Sequence, residues 1–134
     1  MTVNTFLQTD GISNQEMDLG RFVKDSYHVV HNHEIDEAIY YLTGITVKES
    51  KGKNRCPKLV EIRQVGMYFY ILNSNSLSES GKVFGRDHAT ALYSKHKIEN
   101  YYGVKWEKNL TDFVNKVSER TRIDLPLSLK LKIL

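Results

Sequence analysis

Five consecutive residues, Arg86-Asp87-His88-Ala89-Thr90, combine the side-chain types that suit the edges of nucleic-acid bases. A guanidinium presents a planar fork of donors that fits a guanine edge or a phosphate. A carboxylate accepts from the amino group of cytosine, and an imidazole donates to a purine N7 or a backbone oxygen. The methyl groups of Ala89 and Thr90 suit contact with a thymine methyl. Each residue also has an ordinary use. Aspartate at a helix start is most often a cap, His88 can be a plain surface histidine, and Arg86 can pair with Asp87. Further along, Lys95 and Lys97 suit phosphates.

These side chains act together only if a helix opens at Asp87. Ser76-Leu77-Ser78-Glu79 has a hydroxyl followed three residues later by a carboxylate, the pattern of a capping box, and predicts a short helix ending near Val83-Phe84. Gly85 then makes a turn, and a longer helix is expected from about Asp87 to Tyr101. Upstream, Lys58–Leu72 predicts a helix at the centre of the core. Val60, Gln64, Met67, Tyr68 and Ile71 keep helical spacing there, and Gly66 costs about 1 kcal/mol of propensity. Glu34–Leu42 reads as a helix stopped at Thr43-Gly44 by a glycine suited to a left-handed turn. Lys48–Pro57 reads as an exposed basic loop, and Trp106–Arg120 as a final helix with Leu110, Phe113, Val114 and Val117 on one face. Asn14 is expected to cap an earlier helix running to about Val30, and Pro126–Leu134 predicts no definite element. A short helix, a tight turn and a longer helix form a helix-turn-helix, whose second helix meets base edges with its first residues. The expected class is all-α, divided into an N-terminal arm and helix (1–33), a helical domain (34–121) and a tail (122–134).

Charge distribution agrees with a partner rich in phosphate. The net charge is only +3, but residues 1–34 carry two basic and five acidic side chains, while the later segments are net basic. The sharpest run holds Lys48, Lys51, Lys53, Arg55, Lys58 and Arg63 against Glu49 and Glu61. One cysteine, Cys56, excludes an internal disulfide framework and reads as a bystander thiol. No apolar run approaches the roughly 20 residues of a membrane span. With no basic start and apolar stretch at Met1-Thr2-Val3-Asn4, a cytoplasmic location is expected. His28, His31 and His33 do not supply a clear tetrahedral set, so no metal is expected. Tyr40-Tyr41, Tyr68-Phe69-Tyr70 and Tyr101-Tyr102 read as half-buried core rather than stacking platforms. No nucleophile and base share a supporting spacing, so a binding protein is expected, not an enzyme.

The run from Gly81 to Ile98, with Phe84-Gly85-Arg86-Asp87-His88-Ala89-Thr90 at its heart, resembles the signature of the C-terminal DNA-binding domain of DnaA, the bacterial chromosomal replication initiator. Arg63-Gln64-Val65-Gly66-Met67-Tyr68 looks like the Arg-Gln start of that family's central helix, and Ser76–Glu79 like the first helix of its motif. The likeness covers about Glu34 to Val117. It implies an all-helical domain, similar in shape to the Trp repressor, that binds duplex DNA. Carried over residue by residue, it implies base readout by Asp87, His88, Ala89 and Thr90, to which the chemistry of Arg86 adds a fifth reader. It also implies backbone or minor-groove contacts by Lys51, Lys53, Arg55 and Lys97, with Lys58 and Lys95 as further phosphate contacts.

The departures from the family pattern carry information. Ala89 stands where the family usually has a hydroxyl residue, so one hydrogen bond is missing. Ser80 replaces a usual apolar residue before the glycine and is expected to loosen packing under the turn. The basic loop has one arginine where the family often has several, and lysine does not reproduce the guanidinium fork. There is no glycine-rich Lys-Ser/Thr phosphate loop, so ATP binding and ATP-driven origin melting are not carried over, and a module standing alone without the ATPase domain is expected. The expected role is sequence-preferring binding of double-stranded DNA without a cofactor. That would serve a replication-initiation accessory or a transcriptional regulator of the kind a phage or mobile element encodes. A protein partner or homodimer contact is assigned to the N-terminal arm. The alternative is a protein-interaction module that keeps this fold without reading bases.

Overall fold

A computed structural model describes residues 29–133. The helix expected from Asn14 to Val30 lies outside these residues, apart from Val29 and Val30, which have no regular structure. The described elements are α1 (Asn32–Thr43), α2 (Val47–Ser50), α3 (Pro57–Leu72), α4 (Leu77–Val83), α5 (His88–Tyr101), α6 (Lys108–Thr121) and α7 (Leu127–Lys130), followed by a 3₁₀ turn (Leu131–Ile133). No strand occurs among the described residues, so the all-α class holds.

α3 is the central helix and packs against α1, α2, α4 and α5. Ile62, Val65, Met67, Tyr68, Phe69 and Tyr70 are all buried. Of the positions that spacing picked out, Met67 and Tyr68 are buried, whereas Val60, Gln64 and Ile71 are only half-buried. A helix enclosed by neighbours on several sides is apolar nearly all round, and a search for one stripe underestimates its burial. Pro57 at the first turn starts α3 where its missing N–H is not needed. α6 is the opposite case, a clear amphipathic helix with Leu110, Val114 and Val117 inside and Phe113 partly so, laid against α1.

The ends of the elements follow local chemistry. α1 stops at Gly44, whose φ of 75° is the left-handed conformation expected of it, with its N–H on the Tyr40 carbonyl. The predicted basic loop is shorter than expected. Thr46 and Glu49 form a capping box that folds Val47–Ser50 into a helical turn, leaving residues 51–56 as the loop. The tail, ambiguous in sequence, closes on the core through buried Ile123, Leu125 and Leu129. Among the tyrosines, Tyr68, Tyr70 and Tyr102 are buried as core. Tyr40 and Tyr41 are instead more than half exposed, and the Arg120 guanidinium lies 3.3 Å over the Tyr41 ring.

Candidate nucleic-acid interface

α4 begins where Ser76 Oγ accepts the Glu79 N–H and the Glu79 carboxylate accepts the Ser76 N–H, both at 3.0 Å. These bonds hold the Glu79 carboxyl below the usual carboxylate range. α5 begins at Asp87, whose Oδ1 accepts the Thr90 N–H at 2.9 Å and whose pKa is lowered by that bond. Between them the chain turns through Phe84, Gly85 and Arg86. Arg86 N–H returns to the Gly81 carbonyl at 2.8 Å, and Gly85 adopts a φ of 72°.

Two further glycines make this turn tight. A Cβ on Gly81 would sit 2.5 Å from the Asp87 carbonyl oxygen and 2.9 Å from that of Arg86, so only glycine lets α4 lie this close to the start of α5. A Cβ on Gly66 would sit 2.3 Å from the ring of Phe84. That ring is fully buried, packs edge-on to Tyr70, and pins the turn to α3. The cost of Gly66 to helix propensity is thus offset by the seat it makes for Phe84.

The first turn of α5 projects outward: Asp87, His88 and Ala89 are exposed and Thr90 is half-exposed. Leu92, Tyr93 and His96 continue the exposed strip along the same helix. Lys51, Lys53, Arg55 and Lys58 are also exposed, while Lys97 is half-buried near Glu61. Burial, with Glu107 nearby, raises the pKa of Glu61 against the opposing pull of Lys58 and Lys97. Lys95 is engaged in an ion pair with Glu99 at 2.9 Å.

Arg86, expected among the base readers, has its guanidinium turned elsewhere. It donates to the carbonyls of Lys51 (3.0 Å) and Gly52 (2.9 Å), and to those of Phe84 and Gly85 (3.2 Å each). Sequence reasoning gave no role to Arg63 beyond its charge and its place in the Arg-Gln pair. It is buried, and it donates to the carbonyls of Ser50 (2.9 Å), Gly52 (3.4 Å) and Asn54 (2.9 Å). The signal was present: Arg63 lies between Ile62 and Val65 on a helix with an apolar interior, where an unpartnered charge is not tolerated. Lys53, Arg55, Arg63 and Arg86 together line a basic cavity of about 550 Å³ between the loop and the turn.

Of the three histidines weighed as a metal cluster, His28 lies outside the described residues, and His31 and His33 stack with ring centroids 5.7 Å apart. No group of three His, Cys, Asp or Glu side chains converges on one point among the described residues. No helix of the described residues is long and apolar enough to cross a membrane.

Residues 33–98, the span that contains α1 through most of α5, match the family model described as "Bacterial dnaA protein helix-turn-helix". This segment is a DnaA-type helix-turn-helix domain. Relatives of the DnaA-type domain agree in name. The chain is 42% identical over 74 residues to the chromosomal replication initiator protein DnaA of Streptococcus mutans serotype c, covering 54% of this chain and 16% of that protein. It is 36% identical over 96 residues to the protein of the same name from Streptococcus agalactiae serotype Ia, covering 70% of this chain and 21% of that protein. For Streptococcus equi subsp. zooepidemicus the figures are 40% over 77 residues, 56% and 17%. The chain therefore spans about a fifth or less of the length of these curated relatives. The upstream resemblance rests on the central helix and first motif helix, and both fall within the matched segment.

Proposed function

We propose that this chain binds double-stranded DNA with a sequence preference, laying the start of α5 in the major groove. The observation that carries the reading is the exposed first turn of α5, Asp87 to Thr90, held in place by the Gly81 contact and the Phe84 anchor. Asp87, His88 and Ala89 are exposed and Thr90 half-exposed, and the Asp87 carboxylate that accepts the Thr90 N–H also engages the Thr90 hydroxyl and faces the His88 imidazole, so these side chains stand together at the mouth of the helix. Free N–H groups at the helix start favour an approaching anion. Lys51, Lys53 and Arg55 lie beside the turn that opens α5 and contact backbone phosphates or the adjacent minor groove, with Lys58, on the side of α1 and α6, as an outlying phosphate contact. Lys97 does so from beside Glu61, and Lys95 after exchanging Glu99 for a phosphate.

In this reading the domain comprises residues 34–121, closed by the tail, and acts in replication initiation as an accessory or as a transcriptional regulator. It needs no ATP and no metal for the binding step itself, because the contacts are hydrogen bonds and ion pairs from protein side chains. Electrostatics supplies much of the affinity, so binding falls steeply with salt. The test is fluorescence anisotropy with a random duplex and a single strand across a salt series. Retention of duplex at low salt, with a negative slope of log affinity against log salt, is expected. No retention at micromolar protein favours a protein-interaction module built on the same fold.

A further inference from the structure

The loop that carries Lys51, Lys53 and Arg55 is held from beneath by two guanidiniums. Arg63 reaches up from α3 to the carbonyls of Ser50, Gly52 and Asn54. Arg86 reaches across from the turn to those of Lys51 and Gly52, and also grips its own turn at Phe84 and Gly85. The Gly52 carbonyl receives both arginines. Loop carbonyls turned toward the guanidiniums leave the loop side chains facing solvent, and residues 51–56 are all exposed. A Cβ on Gly85 would approach the Lys51 carbonyl to 3.2 Å, so loop and turn are also in near contact.

The choice of acceptor matters. A carboxylate in the same place would hold the arginines and cancel their charge. Neutral carbonyls satisfy the donors while leaving both positive charges in place. Among the described residues, the one ion pair is Lys95–Glu99, away from this cluster in chain and partner. The proximity of Arg86 adds to burial in lowering the pKa of Arg63, as expected of two guanidiniums without an anion between them. The loop itself, Lys-Gly-Lys-Asn-Arg, has no apolar anchor and would otherwise sample many conformations.

We propose that Arg86 is a positioning residue rather than a base reader: with Arg63 it clamps the basic loop to the turn that opens α5, so that loop cations and reading residues meet DNA as one unit. The duplex part of this inference rests on the DNA-binding reading above, whereas the clamp itself does not. Arg86→Gln removes the fork, and Arg86→Lys keeps the charge but offers no planar fork to bridge Lys51, Gly52 and the turn.

Backbone 15N relaxation of the free protein gives the first readout. Order parameters at residues 52–55 are expected to fall from values near those of rigid backbone, about 0.85, to below about 0.6 in Arg86→Gln, and to fall clearly in Arg86→Lys, while those of α3 and α6 stay unchanged. Should Arg86→Gln fail to fold, as judged by circular dichroism, Arg86→Lys carries the test. The second readout is a double-mutant cycle on duplex binding. Lys53→Ala is expected to cost little in the Arg86→Gln background, and Arg86→Gln to lower the salt slope by more than the roughly 0.9 of one phosphate contact. Unchanged loop order parameters would overturn the clamp, as would full additivity with Lys53→Ala and altered preference at a single base. Wild-type protein that retains no duplex would remove the DNA-binding reading, and loop order parameters would still decide the clamp.

Discussion

Replacing Gly81 by alanine sets two opposing effects on a single methyl group. Alanine in a helix interior gains roughly 0.5–1 kcal/mol over glycine through a smaller loss of chain entropy. Against that, the added carbon would lie 2.5 Å from the Asp87 carbonyl oxygen, where ordinary contact begins at 3.4 Å. The atoms in the way are backbone of the turn and of Asp87, the N-cap of α5, so no side chain can rotate aside. Forcing extra volume into packed structure costs roughly 1–3 kcal/mol. The net expectation is a loss of roughly 1–2 kcal/mol, or a drop of roughly 5–10 °C in Tm for a domain of this size. Thermal unfolding followed by circular dichroism measures it. Duplex binding should weaken further than the folded fraction accounts for, because relief of the clash displaces Asp87 and His88 by a good part of an ångström, enough to spoil a hydrogen bond to a base edge. A Tm unchanged or raised, as propensity alone dictates, would refute the close-approach argument.

The neighbouring residue should respond in the other direction. Ser80 is fully buried and its Oγ has no hydrogen-bond partner, so Ser80→Ala removes an unsatisfied hydroxyl at almost no change in shape; a gain of roughly 1 kcal/mol in urea unfolding is expected. Asp87→Asn and Asp87→Ala separate capping from reading. Asparagine caps as well as aspartate, so it should preserve stability and change preference at one base pair, whereas alanine should lower both stability and binding. Stability should pass through a shallow maximum on acidification. Asp36 and Glu61, raised above 3.8 and 4.5 mainly by burial, bind protons more readily folded than unfolded, so stability recovers as pH falls toward their raised values. Asp87 and Glu79, lowered from 3.8 and 4.5 by their capping bonds, contribute stability that is complete above those values and lost as pH falls below them. Urea midpoints against pH for wild type, Glu61→Gln and Glu79→Gln test this; the first variant should flatten the rise and the second soften the acid loss.

Local chemistry explains which parts of the fold were legible in the sequence. Ser76 with Glu79, Gly44 and the Leu110-Val114-Val117 stripe announce a cap, a stop and a face, and each appears within a residue or two of its predicted place. α2 escaped notice because lysine-rich composition hid the Thr46–Glu49 capping box. Gly66 read as a weak point of its helix and Gly81 as no more than part of a family-like run, since the partners that require them, Phe84 and the Asp87 carbonyl, are distant in chain or defined only once the turn is folded. The role of Arg86 was invisible for the same reason, and the apolar neighbours of Arg63 showed that it needs partners without showing which. A guanidinium's acceptors here are backbone carbonyls, and those carry no sequence signature. Exposure of the α5 start, by contrast, followed directly from its position after a tight turn.

Selection of bound fragments from a random duplex library, run in parallel with the wild-type chain and with His88→Ala, tests most directly whether the start of α5 reads bases. The wild type should enrich a common short motif, and His88→Ala should lose about 1–3 kcal/mol on that motif together with its discrimination at one or two positions, while binding random duplex almost as before. Retention of duplex with no enriched motif, or an equal loss on motif and random DNA for His88→Ala, would contradict the account.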